Sequence, residues 1–145
     1  MNILIQSSFD TAIYEIPEMI LPQNLIYING YINNRYTKIL IDTGATTSII
    51  FKHSIDKLNI NYLIDDEEKT CLNGIGNEIS IGRIWYSQLE IDNYLYPISL
   101  IVSDNKILDY DIILGINFLQ TYDSLINFKT NQLILNNNHK ISLYR

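Results

Sequence analysis

Two stretches of strand-forming residues, NLIYINGYIN and RYTKILID, meet at a pair of asparagines, and that junction constrains the fold more than any other feature. Ile, Tyr and Thr suit a pleated, half-buried surface, whereas Asn tolerates the left-handed backbone that a tight hairpin turn demands. The pair therefore reads as a hairpin whose second strand runs directly into Asp42. The same punctuation recurs through EISIGRIWYSQLEI, YLYPISLIVS, YDIILG, SLINF, QLIL and ISLYR, so the expectation is an all-β chain. One short C-terminal helix is expected, over INFLQTYD at residues 116–123. With 145 residues, 47% of them hydrophobic, the chain can bury one core and hardly two. Residues 1–21 show no clear period and read as an N-terminal arm, flexible or docked, leaving 22–145 as the folded domain. The DDEEK run at 65–69 reads as a solvated loop.

Charge and cysteine content narrow the chemistry. Sixteen acidic against ten basic residues give a net charge of -6, which repels phosphate backbones, so no nucleic acid is expected as a partner. Cys71 is the single cysteine, which excludes an intrachain disulfide and a Cys/His metal cluster and fits a reducing compartment. The apolar runs are short and interrupted, and MNILIQSSFD has neither the basic start nor the long apolar stretch of a signal peptide. The expectation is a cytoplasmic chain with no membrane partner. His53 and His139 lie far apart with no Ser or Cys nucleophile motif beside either, and both are expected at the surface. The eleven tyrosines and Trp85 fall mostly in strand segments, where aromatic rings pack well.

The informative chemistry is in LIDTGATTSII, residues 40–50. A carboxylate at a strand end is followed at once by Thr43, which can hydrogen-bond locally, and by Gly44, which admits a close backbone or ligand approach. Ala45 keeps the next position small. A rigid support, an access route and nearby donors are what an active carboxylate needs, although DTG alone is also a common turn sequence. Two further segments add to it. CLNGIGNEISIGRIW, residues 71–85, sets Gly74, Ile75 and Gly76 between strand runs, a hairpin tip suited to cover a ligand or to serve as a plain turn. In DIILGINFLQ a wholly apolar strand ends at Gly115 and passes into the expected helix.

DTGA, then GIG in a hairpin, then ILG followed by INFLQ and LINF, occur in the order and approximate spacing of the retropepsin-like aspartic proteases, which the chain resembles over roughly residues 22–136. The resemblance implies a small closed β-barrel in which the DTGA loop carries the catalytic Asp42 with Thr43 and Gly44. By the same resemblance the GIG hairpin is the flap and ILG packs beneath the active-site loop. Ala45, Gly74, Ile75, Gly76 and Ile113 are then the expected substrate-binding residues. The tail GINFLQTYDSLINFKTNQLIL is most similar to plant pararetrovirus proteases, and GNEISIGRIWYSQLEI also resembles the eukaryotic ubiquitin-shuttle proteases, which usually carry Asp at the position of Asn117.

One chain carries one DTG, so the paired carboxylates of this chemistry imply a homodimer that shares one Asp42 per subunit, with an activated water and no cofactor or metal. The implied activity is an aspartic endopeptidase acting on a polypeptide substrate, with viral polyprotein processing in the host cytoplasm or virus particle as the first expectation. The alternatives are a cellular ubiquitin-pathway protease and a non-catalytic dimerisation or peptide-binding module. A departure from the retroviral pattern is that the usual Arg after ILG and acid after DTGA are replaced together, by Ile116 and Thr46.

Overall fold

The computed structural model describes residues 3–69, 71–72, 78–105 and 109–145. In chain order the elements are helices α1 (Ile3–Glu15) and α2 (Pro17–Ile20), strands β1 (Tyr27–Ile32), β2 (Arg35–Ile41) and β3 (Ile49–Phe51), and helix α3 (Lys52–Leu58). They continue with β4 (Ile64–Asp65), β5 (Cys71–Leu72), β6 (Glu78–Ile79), β7 (Gly82–Ile91), β8 (Tyr94–Ser103) and β9 (Ile112–Leu114). Helix α4 (Ile116–Thr121) and strands β10 (Leu125–Asn127), β11 (Gln132–Leu135) and β12 (His139–Ser142) complete the chain.

Asparagine supplies the turns. Among the described residues every non-glycine with positive φ is Asn or Asp, including the pairs Asn33–Asn34, Asp92–Asn93 and Asn136–Asn137 that close β1–β2, β7–β8 and β11–β12. Two consecutive left-handed residues match the twist of the flanking strands, which is why a chain with six glycines can make several tight hairpins.

The strands run in the order β1-β2-β9-β3-β8-β7, and β7 pairs back to β1 through Tyr31 and Glu90, closing a six-stranded barrel to which β4 is appended. The β2–β9 and β3–β8 pairs are parallel, and the other barrel pairs are antiparallel. Closure needs Gly30, because a Cβ there would come within 2.8 Å of Ile39 Cδ1 and 3.0 Å of the Glu90 carbonyl. Ile28, Ile39, Leu89, Ile91, Leu100 and Val102 are fully buried in the main core, each worth about 1.5–3 kcal/mol on burial. Successive residues of β2 point to opposite faces, so Leu40 joins a second cluster with Ile49, Phe51, Ile101 and Ile113. A separate three-stranded sheet, β10-β11-β12, packs against the main core through Leu133, Leu135 and Ile141, and Tyr144 bridges back to Tyr27.

Four features differ from the sequence expectation. Residues 3–20 of the arm form α1 and α2, whose described side chains are exposed or half-buried; Phe9, Tyr14 and Met19 are exposed. A helix that buries no stripe leaves no 3.6-residue pattern to read. Helix α3 buries only Ser54, Ile55 and Leu58 and stops at Asn59 in the left-handed region, too short for a period to show. Trp85 and Tyr86 both face solvent because the β7–β8 register shifts between Ile84 and Ser87. His139, expected at the surface, is buried, with its ring bonded to the Tyr96 hydroxyl; His53 is exposed.

Candidate active site

Strand β2 delivers Asp42 into a loop that ends at β3. The Asp42 N–H donates to the Leu114 carbonyl at 3.0 Å, which fixes the residue to the neighbouring end of β9. Its carbonyl accepts the Ala45 N–H at 3.2 Å, and its Oδ1 accepts the Gly44 N–H at 2.8 Å. The carboxylate is thus oriented by its own turn while remaining half-buried, and Thr43 and Gly44 beside it are exposed. A Cβ on Gly44 would lie 3.1 Å from Asp42 Oδ1, so glycine keeps that oxygen approachable.

The loop is zipped onto the first turn of α4. Ala45 and Thr46 carbonyls accept the N–H groups of Ile116 and Asn117 at 2.8 and 3.2 Å. Ser48, fully buried, donates its hydroxyl to Asn117 Oδ1 at 2.8 Å and accepts the Gly115 N–H at 3.1 Å. Asn117 Oδ1 also accepts the Phe118 N–H at 2.9 Å. Gly115 sits where a Cβ would come within 2.4 Å of the Thr47 carbonyl and 2.7 Å of the Ala45 carbonyl, so only glycine fits. These bonds tie the loop to α4 with Ile116 and Thr46 contributing through their main chains alone, so neither position needs a charged side chain for the attachment.

At the opposite end of β9, buried Asp111 gathers a charged cluster. Its Oδ1 accepts the Ser54 hydroxyl at 2.7 Å and Lys57 Nζ at 2.8 Å, and its Oδ2 accepts the Lys38 N–H at 2.8 Å. Burial pushes the Asp111 carboxyl upward, but the bonds from Lys57, Lys38 and Ser54 outweigh it and hold the group below its ordinary value. Near Thr43 an open, mainly apolar groove of about 420 Å³ runs between α4 and β10, bordered by Ile116, Leu119, Leu125 and Ile126. The Ser124 hydroxyl beside it is buried with no hydrogen-bond partner among the described residues.

The structure brings Asp42, Thr43, Gly44 and Ala45 into one loop and sets Ile113 in the cluster with Leu40 and Phe51, against which Ala45 packs. Ile113 is 6% exposed in the single chain. Gly74, Ile75 and Gly76 lie outside the described residues; on either side of them β5 and β6 pair antiparallel, with Cys71 opposite Ile79. Sequence reading missed Ser48 and Asn117 as loop-holding residues. The available signal was a polar residue at the edge of one apolar run, Ser48 before Ile49 and Ile50, and another inside a second, Asn117 in GINFL.

A carboxylate on a loop held by the end of an apolar strand and the start of a short helix is the arrangement that the DTGA and ILG motifs imply, and the family model described as "Aspartyl protease" matches residues 17–127. The chain belongs to the aspartyl protease family. It is 29% identical over 129 residues to "DNA damage-inducible protein 1" of Yarrowia lipolytica, an alignment that covers 89% of this chain and 32% of the fungal protein. The chain thus spans about a third of the length of that curated relative. In fold, the aspartyl protease chain is similar to the retroviral protease-like domain of Ddi1 from Leishmania major, with TM-score 0.74 at 22% identity over 86% of this chain and 97% of that one. It is also similar to the EIAV protease complexed with the inhibitor HBY-793, with TM-score 0.55 at 19% identity over 73% and 95% of the two chains. The retropepsin-like barrel expected from the sequence is therefore present. Of the two branches expected from the sequence, the second choice, the eukaryotic one, fits the curated relative, and these comparisons give no support to the plant pararetrovirus reading.

Proposed function

We propose that this chain is the catalytic half of a homodimeric aspartic endopeptidase of the eukaryotic Ddi1 type, acting on cellular polypeptides rather than maturing a viral polyprotein. The observation that carries the reading is the lone Asp42 carboxylate, oriented by the Gly44 amide on a loop bonded to both β9 and α4. Two such carboxylates brought together by a second subunit are too close to ionise fully and share a proton. One draws a proton from the attacking water while the other hydrogen-bonds the scissile carbonyl. Thr43 is exposed beside the open apolar groove that Leu125 and Ile126 also line, which supports a role for it in meeting the partner loop. The second cluster beneath Ala45 gives the site an apolar floor, which favours substrates with apolar side chains at the scissile bond. Similarity to a cellular relative is what favours a cellular, ubiquitin-pathway substrate over a viral one.

The test is cleavage of an oligopeptide library at mildly acidic pH, with and without a statine-type transition-state analogue, by the chain and by Asp42→Asn. The Asn keeps an oxygen for the Gly44 N–H, so melting temperature should barely move while hydrolysis falls by about a thousandfold or more. Activity retained in pure Asp42→Asn protein would remove Asp42 from the mechanism. Sedimentation over one dilution series should show specific activity falling as dimer dissociates, with the analogue shifting the equilibrium back. A fully active monomer would contradict the shared pair.

A further inference from the structure

Helix α4 is gripped from two sides. Its first turn carries Asn117 against Ser48 and the Asp42 loop. Its other face carries Phe118 and Tyr122, whose rings lie 6.1 and 5.0 Å from the ring of Tyr96 in β8, both edge-on. The Tyr122 hydroxyl donates to the Pro97 carbonyl, and the Tyr122 carbonyl accepts the Asn136 N–H at 2.8 Å. Tyr96, with the Pro97 carbonyl beside it, is therefore a contact through which the barrel wall sets the roll of α4.

What holds Tyr96 is His139. The Tyr96 hydroxyl is bonded to His139 Nδ1, and His139 Nε2 lies 3.3 Å from Asp92 Oδ2 in the β7–β8 turn. Tyr94 covers the imidazole with its ring centroid 4.4 Å away. A carboxylate can only accept, so Nε2 carries the proton that faces Asp92, and in the neutral ring Nδ1 then presents a lone pair that the Tyr96 hydroxyl fills by donating. Burial first, then the nearby Tyr94, Asp92 and Tyr122, raise the Tyr96 phenol above its ordinary value, which keeps that proton on the oxygen. The hydroxyl then has one direction to point and the ring one place to sit.

We propose that His139 is a positioning residue for the catalytic loop: it orients Tyr96, Tyr96 seats Phe118 and Tyr122 of α4 and its C-terminal end, and α4 holds Asn117 against Ser48, which bonds Gly115. The catalytic consequence rests on the proposed protease function, whereas the ordering of the loop does not and can be read separately. The same chain of contacts makes the terminal sheet, through β12, a support of the active site as well as a wall of the core.

The experiment compares His139→Gln, His139→Asn and Tyr96→Phe with the unmodified chain. Asn places an amide oxygen where Nδ1 stood and can accept from Tyr96, whereas Gln reaches toward the Nε2 position and leaves Tyr96 without its acceptor. Amide hydrogen exchange is followed at Gly115 and Phe118, whose N–H groups bond Ser48 and Asn117, with the β1–β2 hairpin amides as reference. Exchange at Gly115 and Phe118 should rise by about five- to thirtyfold relative to the hairpin in the Gln and Phe variants. The Asn variant should bring it back toward the original rate. In cleavage, kcat should fall with KM nearly unchanged, as expected for a displaced carboxylate. Equal exchange in the Gln and Asn variants, or an increase spread evenly over the barrel and terminal sheet, would overturn the proposal and leave His139 a general packing residue. Tyr96→Phe removes a single oxygen, so it decides the matter even where a His139 variant folds poorly. A chain that cleaves nothing would refute the protease reading while the exchange result still judged the positioning one.

Discussion

The two ends of strand β9 are each set in a buried polar cluster, and the clusters are built from opposite chemistry. At the start, Asp111 is ionised and held by Lys57, Ser54 and the Lys38 amide, tying α3 and β2 to the strand. At the finish, Gly115 is held by Ser48, which is in turn bonded to Asn117, neutral groups that tie the Asp42 loop to α4. A charged cluster is strong only while its carboxylate stays ionised. A neutral cluster gives less per bond and is indifferent to protons. The difference separates two duties: the Asp111 end secures the barrel, and the Gly115 end keeps the Asp42 loop in shape as pH falls through the range in which carboxylates take up protons.

The harshest break of this comparison is Gly115→Ala. The new Cβ would meet two backbone carbonyls of the Asp42 loop, neither of which can rotate away, so a loss of about 3–5 kcal/mol in chemical denaturation is expected. Next is Asp111→Asn, which puts an NH2 group opposite either the Lys38 N–H or the Lys57 ammonium and should cost about 1.5–3 kcal/mol. Its pH behaviour is the sharper readout. The Asp111 carboxyl is depressed in the folded chain, so the unfolded chain binds protons first as pH falls. That contribution is whole above the ordinary carboxylate value and disappears as pH drops through the lower folded value. Melting temperature against pH should therefore lose part of its acid limb in Asp111→Asn, and an unchanged limb would assign the acid sensitivity elsewhere. Cleavage per folded molecule should stay near the original, since the Gly115 end is untouched.

What could be read from the sequence divides along the same line. The barrel strands and the Asp42 loop were legible because their determinants are local: Asn pairs at turns, β-branched runs between them, and a small-residue turn after a carboxylate. Gly115 was legible as the end of an apolar strand, but not the two carbonyls that require it. The Ser48–Asn117 bond joins residues 69 apart and the Tyr96–His139 bond residues 43 apart, and no local pattern announces either. His139 looked like a surface residue because its neighbours Asn138 and Lys140 are polar and exposed, while the alternation of β12 turns it inward. Helix α1 escaped notice for the opposite reason, since its described side chains, at residues 6–15, are exposed or half-buried and form no buried stripe that would impose a period.

Ser48→Ala probes the neutral end directly. It removes one donor from Asn117 Oδ1 and the acceptor of the Gly115 N–H, both buried or nearly so, at an expected cost of about 1–2 kcal/mol. Because the bond holds the loop and not the barrel, kcat should suffer more than stability does. A variant that loses stability without losing kcat would move Ser48 from the loop to the core.

Asn117→Asp has the smallest expected effect at neutral pH and tests the comparison most closely. Its carboxylate oxygens could accept the Ser48 hydroxyl and the Phe118 N–H as the amide oxygen does now, and its charge would lie in the first turn of α4, where the helix dipole favours it. Stability at neutral pH should change by less than about 1 kcal/mol. Two bonds to the ionised form would depress the new carboxyl in the folded state, so by linkage its contribution would be lost as pH falls through that depressed value. The substitution would thus give the Gly115 end an acid sensitivity of its own, in addition to that of Asp111. Melting temperature and kcat should both decline more steeply with acid in Asn117→Asp than in the unmodified chain, and the double variant with Asp111→Asn should restore only the stability limb. Superimposable pH profiles for Asn117→Asp and the unmodified chain would show that the neutrality of this cluster has no bearing on how the catalytic loop withstands acid.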